Sequence, residues 1–106
     1  MTLAALPHRA AKVNVMLDVE DATRDLKLAP DGLEARNDAL SFESVRATCS
    51  TNGAGLYYYE CTVFTGGIMQ IGWATRQCMY RENEGHGIGD DRYSFVWTLF
   101  CFWCST

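Results

Sequence analysis

Several features that would point to a particular chemistry are scarce in this chain of 106 residues. It has two histidines, His8 and His86, and neither has the Cys, Ser or carboxylate partners around it that a catalytic triad requires. Its nine lysine and arginine residues are scattered and the net charge is -4, so no basic stripe is present to neutralise nucleic-acid phosphates. We therefore expect neither a catalytic centre nor a nucleic-acid partner.

Long apolar runs are also missing. No segment reaches the roughly 18 residues that a membrane-spanning helix needs, and the N-terminus lacks the apolar core of a secretory signal peptide. We therefore expect no membrane association and a cytoplasmic location. The five cysteines are odd in number and irregularly spaced, which does not indicate a disulfide framework, so reduced thiols are expected.

The patterns that are present predict strands. No ten-residue segment has a convincing amphipathic helical period, whereas short alternating or β-branched segments are separated by Gly, Pro, Asn and Asp turns. Short strands are predicted at 13–17, 26–29, 33–36 and 42–48, with a turn at Pro30-Asp31-Gly32. The sequence thus predicts an all-β fold, an antiparallel β-sandwich in one small domain.

The strongest local signal is a β-hairpin at 57–74. Residues 57–64 and 68–74 are rich in β-branched and aromatic side chains, and Thr65-Gly66-Gly67 between them suits a tight reversal. Neither face of this hairpin is purely polar, so it needs cover on both sides. We expect Tyr57, Tyr59 and Trp73 to lie in the core or between sheets.

The predicted organisation has three parts. Residues 1–12 are a loose leader, residues 13–94 form a partial β-sandwich domain, and residues 95–106 form an apolar tail. Residues 95–104 carry no charge and five aromatic side chains, which makes them either a central strand of the sandwich or sequence unrelated to the fold. We favour the second interpretation.

Four separated blocks resemble the first half of a SPRY domain. They are GLYYYE at 55–60, MQIGWAT at 69–75, GHGIGDD at 85–91 and Tyr93-Ser94. Segments 28–36 (LAPDGLEAR) and 41–46 (SFESVR) make the chain most similar to the SPRY domain of the RING finger and SPRY domain-containing protein 1 family. The order of the blocks is more specific than any single motif.

The resemblance implies a β-sandwich that binds peptide segments of partner proteins through loops at one end. Members of that family end in a RING finger, which binds zinc and recruits a ubiquitin-conjugating enzyme. In this chain the resemblance runs from about residue 17 to Ser94, and no RING ligand position is present. We therefore expect no cofactor, with zinc confined to the RING of full-length relatives, and interpret the chain as a truncated gene model, a retained intron or a short splice form.

The candidate partner-binding site is the loop at residues 76–86 (RQCMYRENEGH), which is polar and aperiodic. An aromatic residue beside an arginine on a loop held by a rigid scaffold is typical of interfaces. An ordinary solvated loop is the equally weighted alternative. The candidate contact residues are Arg76, Tyr80, Arg81, Glu82 and Asn83.

Metal and phosphate sites are less favoured. Cys101 and Cys104 form a C-x-x-C, and Cys78 and His86 are the residues that would have to complete a zinc site, but the second pair of a structural zinc site is missing. Gly85, Gly87 and Gly89 lack the Lys-Ser/Thr and the following helix of a phosphate loop, and instead predict positive φ angles in a tight loop.

The sequence therefore predicts a non-enzymatic protein-interaction module that binds a protein or peptide and, in complete relatives, recognises a substrate for a RING-type ubiquitin ligase. Two alternatives stay open. The product could contribute to ubiquitin-ligase activity through a longer isoform, or it could be a non-functional half domain. The oligomeric state is not predicted.

Overall fold

Three antiparallel strand pairs make up the fold. The computed structural model describes residues 2–4, 14–51 and 54–101. The strands are β1 (Thr2–Ala4), β2 (Leu26–Leu28), β3 (Ala35–Asn37), β4 (Glu60–Thr62), β5 (Gly67–Ala74) and β6 (Ser94–Cys101). They pair as β1–β4, β2–β3 and β5–β6. The described ranges hold one 3₁₀ helix, Glu82–Glu84, and no α-helix, so the predicted class, an incomplete antiparallel β-sandwich, is confirmed.

The β2–β3 hairpin follows the sequence prediction closely. Its turn uses Gly32 at φ 71°, a left-handed conformation that glycine adopts without a steric penalty. The Gly32 amide donates to the Ala29 carbonyl (2.9 Å), and the Asp31 side chain accepts from the Leu33 amide (3.0 Å). These contacts close the predicted Pro30-Asp31-Gly32 reversal and set the register of Lys27 opposite Arg36.

The predicted hairpin at 57–74 is wrong in its pairing. β4 is short and pairs with β1, while β5 pairs with β6 along its full length. The aromatic run that precedes β4, residues 57–59, contacts β5 through side chains and not through a backbone ladder. The Tyr59 hydroxyl donates to the Gly72 carbonyl, and the Tyr59 ring meets the Trp73 ring edge to face at 5.1 Å. These side-chain contacts replace the backbone ladder that the turn signal predicted.

The β5–β6 pair is the longest regular element. Its register runs from Gly67 opposite Cys101 to Ala74 opposite Ser94. Gly72 is required there, because a side chain at this position would overlap the carbonyl of Phe95. Seven residues of the segment that was set apart as an unrelated tail, 95–101, therefore take part in the sheet. The reason is that an uncharged, aromatic segment is a good partner for another apolar strand.

Two other predicted segments differ from the structure. Residues 2–4 of the supposed loose leader form β1, in register with β4, whereas residues 5–13 lie outside the described residues. Of the segments predicted at 13–17 and 42–48, the described residues 14–17 and 42–48 form no regular strand, and an isolated bridge joins Leu17 to Ala47. Side chains interrupt that ladder, since the Ser44 amide donates to the Thr23 hydroxyl (2.9 Å). The domain boundaries themselves stay a prediction.

The packed centre is small. Among the described residues, the buried hydrophobic side chains are Leu17 and Cys78, with Thr23 as the buried polar residue. Tyr57 and Trp73 are each about half exposed, so their predicted place in the core is wrong for the chain as it stands. A set of polar contacts around Arg46 supplies much of the cohesion instead.

Candidate functional site

The loop at residues 76–86, called the interaction loop below, connects β5 to β6 and is closed at both ends. At its base the Thr75 amide donates to the Tyr93 carbonyl (2.9 Å). Near its tip Arg81 and His86 exchange two backbone hydrogen bonds, of 2.7 and 3.0 Å. The two hydrogen bonds fix the backbone of the loop tip in a closed turn.

Three of the five candidate residues lie together at the tip. Glu82–Glu84 form the 3₁₀ helix, and Gly85 ends it at φ 67°, where an L side chain would be strained. Arg81 and Asn83 are exposed and Glu82 is half-buried. Arg81 pairs loosely with Glu84 at 3.5 Å, an exposed contact that leaves the guanidinium accessible. Arg76 is also exposed but lies outside the closed tip.

Tyr80, another of the candidate contact residues, is held by Asp21 and Arg46. Its hydroxyl donates to an Asp21 carboxylate oxygen (3.1 Å), and the Arg46 guanidinium lies over its ring at 4.7 Å from the centroid. The ring is half-buried. Burial, and then the negative charge of Asp21, raise the pKa of the Tyr80 hydroxyl far above its ordinary value, so it stays a neutral donor. Tyr80 therefore anchors the loop from beneath.

Arg46 is the centre of this anchor. Its Nη2 lies 2.6 Å from Asp21 Oδ1 and its Nε lies 3.0 Å from Asp21 Oδ2, a bidentate pair. Its Nη1 donates to the carbonyls of Thr75 (2.7 Å) and Cys78 (2.9 Å), which lie at the start of the loop. One guanidinium thus joins the segment around Asp21 to the base of the interaction loop.

The charges of this anchor are mutually stabilised. Burial alone would raise the pKa of Asp21, but the hydrogen bonds from Arg46 and Tyr80 outweigh it and hold the pKa below the ordinary value. The hydrogen bond to Asp21 in turn raises the pKa of Arg46. The pair is therefore fully ionised at neutral pH.

Sequence reasoning missed Asp21 and Arg46. They are 25 residues apart and belong to no recognisable motif, so no spacing rule connects them. It also missed Phe42, which is about half exposed and reaches the loop tip, 3.7 Å from the position of a Cβ on Gly85. Phe42 was predicted only as the first residue of a strand, which gives no indication of a contact with the loop near Gly85, more than 40 residues later in the chain.

The thiol and imidazole near the loop do not form a nucleophilic site. Cys78 is buried, and burial raises the pKa of its thiol, which keeps it protonated and unreactive. His86 Nε2 lies 3.6 Å from Asp91 Oδ2, while Asp91 accepts from the Tyr93 amide (2.8 Å). These groups hold the turn before β6. No group of three or more His, Cys, Asp or Glu side chains in the described ranges is arranged to hold a metal, and Cys104 lies outside those ranges.

A second surface feature is a cleft of about 920 Å³ between the aromatic run and the β5–β6 pair. Among the described residues, no charged side chain lines it. Its walls are Tyr57, Tyr58, Tyr59, Cys61, Ile71, Gly72, Trp73, Phe95, Val96 and Trp97.

The segment that contains the interaction loop and the cleft is similar to a known domain. Residues 56–105 match the model of the SPRY domain. The chain is similar to the SPRY domain over this segment, called the SPRY segment below. The SPRY segment includes β4, the interaction loop and β6, and it extends beyond Ser94, where the sequence resemblance was thought to stop.

Two curated proteins are similar to this chain over part of their length. The chain is 37% identical over 93 residues to the E3 ubiquitin-protein ligase RKP of Arabidopsis thaliana, covering 88% of this chain and 7% of the relative. It is 34% identical over 58 residues to the ATP-dependent RNA helicase Ddx1 of Drosophila melanogaster, covering 54% of this chain and 8% of the relative. The chain thus spans less than a tenth of either relative. No solved structure matches it.

No helix in the described part of the chain is both long and apolar enough to cross a lipid bilayer.

Proposed function

We propose that this chain is a protein-interaction module that binds an extended peptide segment of a partner through the tip of the interaction loop. The observation that carries the proposal is the geometry of that loop. Arg81 and Asn83 are exposed on a closed turn, and the turn is held from beneath by Tyr80 and Arg46. A donor-rich surface on a fixed backbone can bind a peptide with little loss of conformational entropy.

The two curated relatives support a binding role over a catalytic one. One is named as a ubiquitin ligase and the other as an RNA helicase, and these activities share no chemistry. A segment common to both is better explained by recognition than by catalysis. On this proposal the chain carries no catalytic residue and binds its partner without a metal, so EDTA leaves binding unchanged.

We also propose that the partner is a substrate of a ubiquitin ligase related to the RING finger and SPRY domain-containing protein 1 family. The similarity to the ligase RKP, which extends over 88% of this chain, supports this context. Sequencing of the transcript tests it. An isoform whose reading frame encodes further strands and a Cys/His-rich end is the expected result, and transcripts that all lack such a continuation would count against it.

The loop assignment is tested by quantitative affinity purification with paired variants. Arg81→Ala/Asn83→Ala removes the exposed donors at the tip without touching the anchor. Arg24→Ala/Asn14→Ala removes the same side-chain types from exposed positions outside the loop and is the matched control. We expect recovery of the specific partners to fall at least tenfold for the loop variant and to stay unchanged for the control. Equal recovery by all three proteins would refute the loop assignment.

Tyr80→Ala is a poor test of binding, because it also breaks the anchor. Tyr80→Phe keeps the ring over Arg46 and removes only the hydrogen bond to Asp21. The proposal therefore expects Tyr80→Phe to bind the partner nearly as the unmodified chain does.

A further inference from the structure

The β5–β6 pair has one strongly aromatic face, called the aromatic face below. Residues directly opposite each other in an antiparallel pair point to the same side. Trp73 lies opposite Phe95 and Ile71 opposite Trp97, so these four residues share that side. Phe95 and Trp97 are 83% and 81% exposed, respectively. A sheet face of this composition is normally covered by a second layer.

The aromatic face continues across the cleft onto the run before β4. Tyr57 and Tyr58 form the opposite wall and are 50% and 56% exposed. The surface therefore has projecting rings beside a recess of about 920 Å³. A surface with both features can be complementary to itself.

We propose that two copies of this chain pack against each other through their aromatic faces, as a symmetric dimer. The exposed aromatic area approaches that of a standard interface. An aromatic side chain contributes roughly 150–250 Å² when it is buried, so the exposed fractions of Tyr57, Tyr58, Trp73, Phe95 and Trp97 offer roughly 500–800 Å² per copy. A standard protein interface buries about 800 Å² per partner.

The distribution of charge favours a second copy as the occupant. The chain carries a net charge of -4, so two copies repel each other across most of their surfaces. The described residues that line the aromatic face and its cleft carry no charge. A two-fold contact places the same patch on both sides, and an uncharged patch is the one that can meet itself without opposing like charges.

This interface is separate from the interaction loop. Side chains alternate along β6, so Val96 points away from Phe95 and Trp97. The Val96 side chain packs against Gly89, which follows the loop, with no room between them for a Cβ on Gly89. The loop end therefore lies at the opposite side of the sheet. The chain could therefore bind its partner through the loop without forming the dimer, and it could form the dimer without binding a partner through the loop.

Sedimentation equilibrium of the full chain over a range of concentrations tests the dimer. We expect a reversible monomer–dimer equilibrium for the unmodified chain and at least tenfold weaker association for Trp97→Asp. Leu40→Asp places the same charge at a fully exposed apolar residue away from the aromatic face, and it should associate as the unmodified chain does.

A second variant covers the case in which Trp97→Asp fails to fold. Tyr58→Ser lies outside the strands and removes part of the cleft wall, and we expect it to weaken association without changing the circular dichroism spectrum. A chain that stays monomeric up to about 1 mM would overturn the proposal. Equal effects of the substitutions at Leu40 and at the aromatic face would overturn it too, as would assemblies that grow without limit.

Discussion

The Arg46 guanidinium fixes parts of the chain that few apolar contacts hold. It forms a bidentate pair with Asp21 and donates to the carbonyls of Thr75 and Cys78. Both side chains of the pair are about four fifths buried, so solvent screens the pair less than an exposed one. Breaking one partner of such a pair leaves an uncompensated charge and unsatisfied donors, which is costly.

The pH dependence of stability tests this anchor at the residue level. Because the folded-state pKa of Asp21 lies below its ordinary value of 3.8, the carboxylate stabilises the fold fully above about pH 4. That contribution is lost as the pH falls through the lowered pKa. We expect Asp21→Asn to lower the free energy of unfolding by about 1–3 kcal/mol at pH 7, measured by urea denaturation.

The difference between Asp21→Asn and the unmodified chain should shrink below pH 4, because protonation removes the same charge. Glu34→Gln removes an exposed carboxylate from the surface and is the control, for which we expect the free energy of unfolding at pH 7 to change by less than about 0.5 kcal/mol. A difference that is constant from pH 7 to pH 3 would contradict the assigned role of Asp21.

The cysteines provide a second residue-level test. Cys78 is 2% exposed and burial raises the pKa of its thiol, whereas Cys49 is exposed. We expect a thiol-alkylating reagent at pH 8 to modify Cys49 at least tenfold faster than Cys78 in the native chain. Mass spectrometry of the digested protein measures both, and denaturant should abolish the difference. Rapid labelling of native Cys78 would mean that the loop base is not packed as described.

At the level of elements, local signals were accurate where the partner strand lies close in the sequence. The turn at Pro30-Asp31-Gly32 and its flanking strands were predicted because glycine and aspartate have local reasons to be there. The pairing of β5 was not predictable in the same way. The glycines before it indicated a hairpin with β4, while the better partner, β6, lies more than twenty residues further on. Tertiary packing decided between them.

Gly72 tests the β5–β6 pairing. A methyl group there would overlap the Phe95 carbonyl, so Gly72→Ala should separate the strands and lower the free energy of unfolding by about 1–3 kcal/mol. Thr98→Ala, an exposed change on the facing strand, should cost less than about 0.5 kcal/mol. Thermal or urea unfolding measures both. Equal stability of the two variants would argue against the close approach at Gly72.

The interaction loop depends on contacts from outside itself. Arg46→Lys keeps the positive charge but lacks the planar fork that reaches Asp21 and two carbonyls together. We expect faster amide hydrogen exchange at Cys78, Arg81 and His86 in this variant. The amides of Ala29 and Gly32, in the β2–β3 hairpin, should exchange unchanged. Uniform acceleration at all five positions would show that Arg46 stabilises the whole fold and does not specifically position the loop.

For the whole molecule, the sequence was sufficient for the fold class and for the similarity to a SPRY domain, and it did not show what holds the candidate site in place. Ordered motifs such as GLYYYE and MQIGWAT identified the SPRY segment, because they depend only on residue order. The role of Tyr80 depended on Asp21, 59 positions earlier in the chain, so the sequence showed an aromatic beside an arginine and could not show its anchor. The apolar segment 95–101 was misjudged because its partner strand was assigned to another pairing.

Hydrogen exchange of the chain with and without its affinity-purified partner tests the central claim most directly. We expect binding to slow exchange at residues 81–86, the tip of the interaction loop, and to leave the β2–β3 hairpin unchanged. Protection that appears only in β5 and β6, with the loop tip unaffected, would contradict the proposed binding surface.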